Sequence, residues 1–148
     1  MADYATSIHI DAPPEVVFSH LVVAERMVTW MGHRATLDPV VGGEFAVDIG
    51  GSLVRGEYVE VDPPRRVVVS WGMAGSADLP PSASRVEFLL TPVGAGTRVD
   101  LVHTGLPTSR AAGHSEGWTH FLPRLATSAA GDDPGPDTWE PSTTQETP

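Results

Sequence analysis

The chain has 148 residues, which suits one domain, and its formal net charge is -10 at neutral pH. A negative surface disfavours nucleic acid and anionic membranes as partners, because both are bound through basic patches. Cysteine is absent, so disulfides and thiolate metal sites are excluded. No apolar run reaches the roughly 20 residues of a membrane helix, and the N-terminus lacks the features of a signal peptide. We therefore expect a cytoplasmic protein without membrane insertion. All of its basic residues other than histidine are arginine, as is typical of GC-rich bacterial genomes.

The first half of the chain predicts one strand, two helices and then a series of strands. Asp11, followed by two prolines and Glu15, indicates a helix start with Asp11 as the capping residue. The turns between the strands are marked by glycine pairs and by prolines. The predicted strands cover residues 4–11, 33–38, 44–49, 53–61 and 66–71, and the second helix covers residues 24–31. Three charged residues of the fourth strand are interpreted as a solvated sheet edge: Arg55, Glu57 and Glu60.

A loop of small residues and prolines follows at residues 72–83, and it is long enough to be mobile or functional. Two strands, residues 84–91 and 97–104, then alternate cleanly around a glycine-rich hairpin turn. Val99, Leu101 and His103 share one face of the second of these strands. That alternation predicts an inward position for His103.

The last predicted element is a long helix over residues 113–131. It has a single apolar stripe that must pack on a sheet, and Gly131 is a natural stop for it. Pro123 lies inside the helix, where it removes the hydrogen bond to the Thr119 carbonyl and should kink the axis. The stripe consists of Trp118, Phe121, Leu122, Leu125 and Ala129. We expect a folded domain over residues 1–131 and a disordered, acidic, proline-rich tail over residues 132–148, which contains Trp139.

Consecutive strands joined by short turns predict an α+β domain with an antiparallel sheet and its helices on one face. Three segments carry a resemblance to a known family: residues 14–18 with Trp30, residues 56–71, and residues 103–125. Together they resemble the START-like (SRPBCC) superfamily, and within it the Hsp90 ATPase activator homologue 1-like (AHSA1-like) family. The resemblance spans residues 4–131. It implies a helix-grip fold, in which a curved sheet of six to seven strands wraps the C-terminal helix around an apolar cavity.

The resemblance further implies that the cavity binds a hydrophobic small molecule, such as a lipid, a polyketide or an aromatic compound. Trp30, Trp71 and Trp118 come from three elements that this fold would bring together, and a packed core is the alternative interpretation. No cofactor is predicted. The expected ligand-binding residues are Trp30, Phe45, Val69, Trp71, Phe88, Leu101, His103, His114, Trp118 and Leu122.

Two histidines are the candidate polar contacts of this cavity. His103 and His114 could meet at one of its ends, either as ligand contacts or acid-base groups, or as structural histidines that join the helix to the sheet. His114 and His120 do not converge on the helix, and a metal site needs at least three ligands. No metal site is therefore predicted.

Three functional hypotheses follow. A ligand-binding protein ranks first, and a cyclase or hydrolase with His103 or His114 as acid-base is the alternative. That alternative lacks an orienting acid beside the histidine. A chaperone-regulating interaction protein ranks third, because no additional N-terminal module precedes the predicted fold. The sequence contains no interface signature that would predict an oligomeric state.

Overall fold

The protein is built on a seven-stranded antiparallel sheet with the strand order β1-β7-β6-β5-β4-β3-β2. The computed structural model describes residues 2–135, with side chains described from Tyr4 onward. The predicted order of one strand, two helices, six strands and one helix is confirmed. The elements are β1 (Ala2–Ile10), α1 (Pro14–Val22), α2 (Ala24–Met27), β2 (Arg34–Leu37), β3 (Glu44–Ile49), β4 (Ser52–Asp62), β5 (Arg66–Met73), β6 (Ser84–Val93), β7 (Gly96–Leu106) and α3 (Thr108–Ala129).

The core lies on the face of the curved sheet that α3 covers. Each strand contributes alternate residues to it, because successive side chains of a strand point to opposite faces. The inward residues of β7 are Val99, Leu101 and His103, as predicted, and all three are buried. β6 supplies Val86, Phe88 and Leu90 in the same way. This arrangement confirms the helix-grip architecture.

Helix α3 presents the predicted apolar stripe to this core. Trp118, Phe121, Leu122, Leu125 and Ala129 are all buried. The helix ends at Ala129, and Gly131 adopts a φ of 96°, a conformation that glycine takes without steric cost. The carbonyl oxygens of the last turn thereby find partners, since the Asp132 amide donates to the Thr127 carbonyl.

The start of α3 was predicted wrongly. The helix begins at Thr108 rather than at Gly113, and Pro107 is its N-cap residue. The added first turn, residues 108–112, lies before the apolar stripe begins, so the periodicity of the stripe gave no signal for an earlier start. Contacts from the β5–β6 loop hold this turn in place, as described below. Pro123 lies within the helix and on its exposed side.

Other boundaries also differ from the predictions. Asp11 does not cap α1, because Pro13 is the N-cap residue and no side chain caps the helix. The Asp11 carboxylate instead lies 3.2 Å from the His9 ring. The second helix ends at Met27 rather than Met31, and turns complete the segment.

The fourth strand is not an edge of the sheet. β4 pairs with β3 on one side and with β5 on the other, so the predicted solvated edge is wrong. Arg55 donates to the Asp48 carboxylate at 2.9 Å across the β3–β4 pair. The charged residues of β4 had suggested an edge, but an interior strand can also carry charge on its outer face.

The C-terminal end of the described chain folds back onto α3. The Arg124 guanidinium donates to the carbonyl oxygens of Pro134 and Gly135, and also to that of Trp30. Most of the tail predicted to be disordered, including Trp139, lies outside the described residues. Within the described range, no helix has both the length and the apolar character that crossing a membrane requires.

Candidate functional site

A cavity of about 470 Å³ lies between the sheet and the N-terminal half of α3, and it is partly open to solvent. Its inner wall is made mostly of buried apolar and aromatic residues, whereas its mouth is formed by exposed and half-buried residues of α3, of the β5–β6 loop and of the start of β4. The wall consists of Met31, Ile49, Val54, Trp71, Met73, Gly117, Trp118 and Phe121, with His114 beside them. The mouth consists of Ser52, Asp78, Ser109, Arg110, Ala112 and Gly113.

Aromatic rings dominate the inner wall. The ring centroids of Trp71 and Trp118 are 5.2 Å apart, in a tilted arrangement. Phe88 packs edge-on against Trp118 with a centroid distance of 6.0 Å. Such packing is favourable for aromatic pairs and holds both indoles in fixed positions. The wall is therefore a closely packed aromatic surface whose two indole planes are tilted by 47° to each other.

His103 is fully buried behind this wall, where both of its ring nitrogens are hydrogen-bonded. The Trp118 indole N–H donates to Nδ1 at 3.1 Å. An indole nitrogen can only donate, so Nδ1 is an acceptor and the ring proton resides on Nε2. The Nε2–H then donates to the Ser84 hydroxyl at 2.8 Å, and that hydroxyl donates to the Trp71 carbonyl. The chain of bonds ends on a backbone carbonyl, so every member is satisfied.

His114 repeats this arrangement on the cavity wall. The Trp71 indole N–H donates to Nε2 of His114 at 3.1 Å. A carbonyl can only accept, so Nδ1–H of His114 donates to the Arg110 carbonyl at 3.0 Å. The centroids of the His103 and His114 rings are 5.1 Å apart, as the sequence suggested that they could be. Two tryptophan–histidine pairs thus join α3 to β5 and β7.

These contacts hold both histidines in the neutral form. Burial, with a smaller contribution from the neighbouring His114, lowers the pKa of His103 to about 3. Burial also lowers the pKa of His114. Protonation of either ring would place a second donor opposite an indole N–H, which can only donate. An acid-base role for either ring would require one of these hydrogen bonds to break.

The mouth of the cavity carries charge. Asp78 lies in the β5–β6 loop and pairs with Arg110, in the first turn of α3. The Arg110 Nε–H donates to both carboxylate oxygens, at 3.1 Å and 3.0 Å, while Nη2 lies 3.0 Å from Oδ1 and donates to the Ser76 hydroxyl at 3.2 Å. The hydroxyl groups of Ser109 and Ser76 also donate to the Asp78 carboxylate, at 2.7 Å and 2.9 Å. These bonds, the one from Arg110 above all, hold the pKa of Asp78 well below its usual range. We call this group of four side chains the mouth cluster.

The loop that contains Asp78 is anchored to the core through Leu79. Leu79 is fully buried, and its amide donates to the Ser76 hydroxyl at 3.0 Å. The Leu79 carbonyl accepts from the Met73 amide at the end of β5. A buried residue and two backbone contacts thus hold Asp78 against α3.

The structure brings only some of the predicted binding residues to the cavity. Trp71, His114 and Trp118 line it, and His103 supports Trp118 from behind. Trp30 is fully buried, does not line the cavity, and donates to the His20 carbonyl. The remaining predicted residues belong to the surrounding packed core: Phe45, Val69, Phe88, Leu101 and Leu122.

Sequence reasoning missed the mouth cluster. Arg110 lies before the predicted start of the last helix, and Asp78 lies in a loop without a motif. The two residues are 32 positions apart, and no local pattern links them. Phe121 was assigned to the apolar stripe of the last helix, but neither it nor Met31 or Met73 was predicted to line the cavity. Leu79 was the signal that sequence analysis could have used, because a leucine among small and polar residues suggests that the loop is anchored in the core.

No group of three or more histidine, aspartate or glutamate side chains in the described part of the chain is placed to hold a metal ion. The cavity lining contains no set of oxygen or nitrogen atoms that converges on one point except the mouth cluster. There the Asp78 oxygens are already used by arginine and serine donors. The absence of a cofactor remains a prediction.

A helix-grip domain with an internal, partly open cavity is the class of protein that this fold and this site define. The family described as activator of Hsp90 ATPase homolog 1-like protein (AHSA1) matches residues 11–130. The chain therefore belongs to the AHSA1-like family, as its sequence motifs had suggested. No curated protein sequence matches the chain.

Solved structures agree with this assignment. The AHSA1-like protein of Rhizobium etli is 41% identical, with a TM-score of 0.74, and the match covers 94% of this chain and 88% of that one. CalU16 of Micromonospora echinospora is 28% identical, with a TM-score of 0.74 and coverages of 97% and 78%. A protein of Mesorhizobium loti is 25% identical, with a TM-score of 0.76 and coverages of 84% and 94%. The chain thus spans most of each of these proteins.

Proposed function

We propose that the protein binds a hydrophobic small molecule in the cavity between the sheet and α3. The observation that carries this proposal is the cavity itself, at about 470 Å³ and with Trp71, Trp118 and Phe121 on its wall. Ligand sites in proteins have volumes of roughly 300–1,000 Å³ and are lined mainly by apolar and aromatic groups. A flat apolar ligand would lie against the two indoles.

The polar groups of the inner wall support binding rather than turnover. Both histidines use both ring nitrogens within the protein, so neither has a nitrogen left for a substrate. The wall therefore provides an apolar contact surface for a ligand, while the hydrogen bonds of its histidines are made within the protein. A cyclase or hydrolase that uses His103 or His114 is the weaker candidate for this reason. A chaperone-regulating role, after which the family is named, is the third candidate.

Native mass spectrometry of protein purified without denaturant tests the proposal. We expect a discrete additional mass, which solvent extraction then identifies as a hydrophobic compound. Ala112 lines the mouth and is exposed, so an Ala112→Trp variant should fill the opening without disturbing the core. Ala130 is exposed just beyond the last turn of the same helix and does not line the cavity, so Ala130→Trp is the matched control.

The expected result is loss of the bound mass in Ala112→Trp and its retention in Ala130→Trp. A screen of hydrophobic compounds against emptied protein should show the same difference between the two variants. The proposal fails if no compound binds the parent protein, or if Ala112→Trp binds as the parent does.

A further inference from the structure

The mouth cluster contains the only formally charged groups among the described residues that line the cavity. Asp78 and Arg110 face each other there, and two serine hydroxyls complete the shell of the carboxylate. The remaining lining consists of apolar residues, glycine, a serine and the neutral His114. The charge seen by a ligand that enters the cavity is thus set by this one ion pair.

Asp78 largely cancels the positive charge of Arg110. The guanidinium Nε–H donates to both carboxylate oxygens, at 3.1 Å and 3.0 Å, and Nη2 lies 3.0 Å from Oδ1, so the two charges are in direct contact. Arg110 would otherwise be a binding site for an anionic ligand group at the entrance of an apolar cavity. With Asp78 in place, an incoming carboxylate, sulfonate or phosphate meets a guanidinium whose Nε and Nη2 are already paired, beside a negative charge.

The rest of the chain strengthens this effect. The formal net charge is -10, so no general attraction compensates an anion for its loss of hydration. The inner wall offers an anion nothing either, because its indole N–H groups already donate to His103 and His114. An anionic ligand would therefore be desolvated without a partner, which is costly.

We infer that Asp78 is a specificity-determining residue that excludes anionic ligands by neutralising Arg110, so that the cavity accepts uncharged hydrophobic molecules. This inference rests on the proposed function and narrows it to a ligand class. A fatty-acid carboxylate or an acidic aromatic compound would be rejected. A neutral ring system with, at most, a hydroxyl, keto or amide group at the mouth would be accepted.

Two dyes of nearly the same shape test the inference. Phenylnaphthylamine and its sulfonated analogue, anilinonaphthalene sulfonate, share one aromatic skeleton and differ by one negative charge. Both increase in fluorescence in apolar sites, so their dissociation constants can be compared directly. We expect the parent protein at low salt to bind phenylnaphthylamine more tightly by about tenfold, the scale of one charge interaction close to a protein surface.

Substitutions distinguish the effect of the charge at the cavity mouth from the effect of the net charge of the protein. Asp78→Asn should release Arg110 and reduce the ratio of the two affinities by about tenfold. Asp100→Asn is the control, because it makes the same change in net charge and also breaks an ion pair, that of Asp100 with Arg98. Asp100 does not line the cavity. This control should leave the ratio within about twofold. Arg110→Gln should raise the preference for the neutral dye, because Asp78 then stands uncompensated.

Ala112→Trp shows whether the dyes occupy the cavity, since it should weaken both. The inference is overturned if the parent binds the anionic dye as tightly as the neutral one, or if Asp78→Asn and Asp100→Asn have equal effects. In either case the proposed function stands, because both dyes still bind in the cavity. Failure of the parent to bind either dye counts against the proposed function, and the inference falls with it.

Discussion

At the inner end of the cavity, His103 and His114 are neutral and hydrogen-bonded on both ring nitrogens, whereas at the mouth Asp78 and Arg110 carry full charges and are 40% and 37% exposed. The difference follows from access to water. Burying an unpaired charge costs far more than burying a satisfied neutral group, so the interior uses neutral donor–acceptor chains. Charge is confined to the rim, where solvent still reaches it.

The two ends should consequently contribute to different properties of the protein. Loss of a buried, fully bonded group leaves its partners without hydrogen bonds, so changes at the inner end should mainly affect stability. Exposed ion pairs are worth little in stability, so changes at the mouth should mainly affect which ligand enters. The following predictions test this division, from the largest expected effect to the smallest.

His103→Leu should lower the free energy of unfolding by about 3 kcal/mol, because the Trp118 indole N–H and the Ser84 hydroxyl both lose a partner in a dry environment. Urea denaturation followed by tryptophan fluorescence measures the change. His9→Leu is the control, since the His9 side chain is 53% exposed and its ring is hydrogen-bonded to the exposed Asp11 carboxylate. Equal effects of the two substitutions would contradict the role assigned to the inner end.

Lowering the pH from 7 to 5 should destabilise the protein by about 2 kcal/mol through His103 alone. Its pKa is about 3 in the folded state and near 6.5 when unfolded, so the unfolded chain binds more protons throughout this interval. The stabilisation is therefore complete above pH 6.5 and is lost as the pH falls towards 3. Carboxyl groups remain largely ionised above pH 5, which isolates the histidines.

Denaturation curves of the parent and of His103→Leu at both pH values provide the measurement. The pH-dependent loss should be smaller in the variant by about the 2 kcal/mol that this histidine contributes. A parallel pH dependence in the two proteins would show that His103 binds a proton as readily in the folded as in the unfolded state, and would contradict the neutral ring assigned to it.

Asp78→Ala should lower the free energy of unfolding by no more than about 1 kcal/mol, because the Asp78–Arg110 pair is partly exposed and screened by water. Added salt should shrink the difference further. Asp100→Ala, which breaks the exposed pair with Arg98, is the comparison of similar size. A loss of several kcal/mol on removal of Asp78 would mean that the mouth cluster is a stabilising element as well as a selective one.

The sequence correctly predicted those features that depend on neighbouring residues. Alternation along β6 and β7 predicted which side chains point inward, including His103, since the side-chain period of a strand is two. The spacing of Trp118, Phe121, Leu122, Leu125 and Ala129 predicted the buried face of α3. The helix boundary at Thr108 and the interior place of β4 were missed, because contacts remote in sequence determine both.

The candidate site was predicted only in part for the same reason. Two tryptophans were expected to meet and they do, but Trp30, expected with them, is held in the core by its bond to the His20 carbonyl. A sequence pattern identifies which apolar side chains point inward, but it does not distinguish those in the packed core from those that line a cavity. Which of them face a void depends on how far α3 lies from the sheet.

By itself, therefore, the sequence determined the order of the elements, their inward faces and the family, because these follow from periodicity and from motifs within short segments. Only the tertiary structure decided that Trp71 donates to His114, 43 residues away, and that Asp78 meets Arg110. Both pairings depend on the register of β5 in the sheet and on where α3 crosses it. Those positions are set by packing of the whole core, so the polar arrangement of the cavity emerges only once the chain is folded.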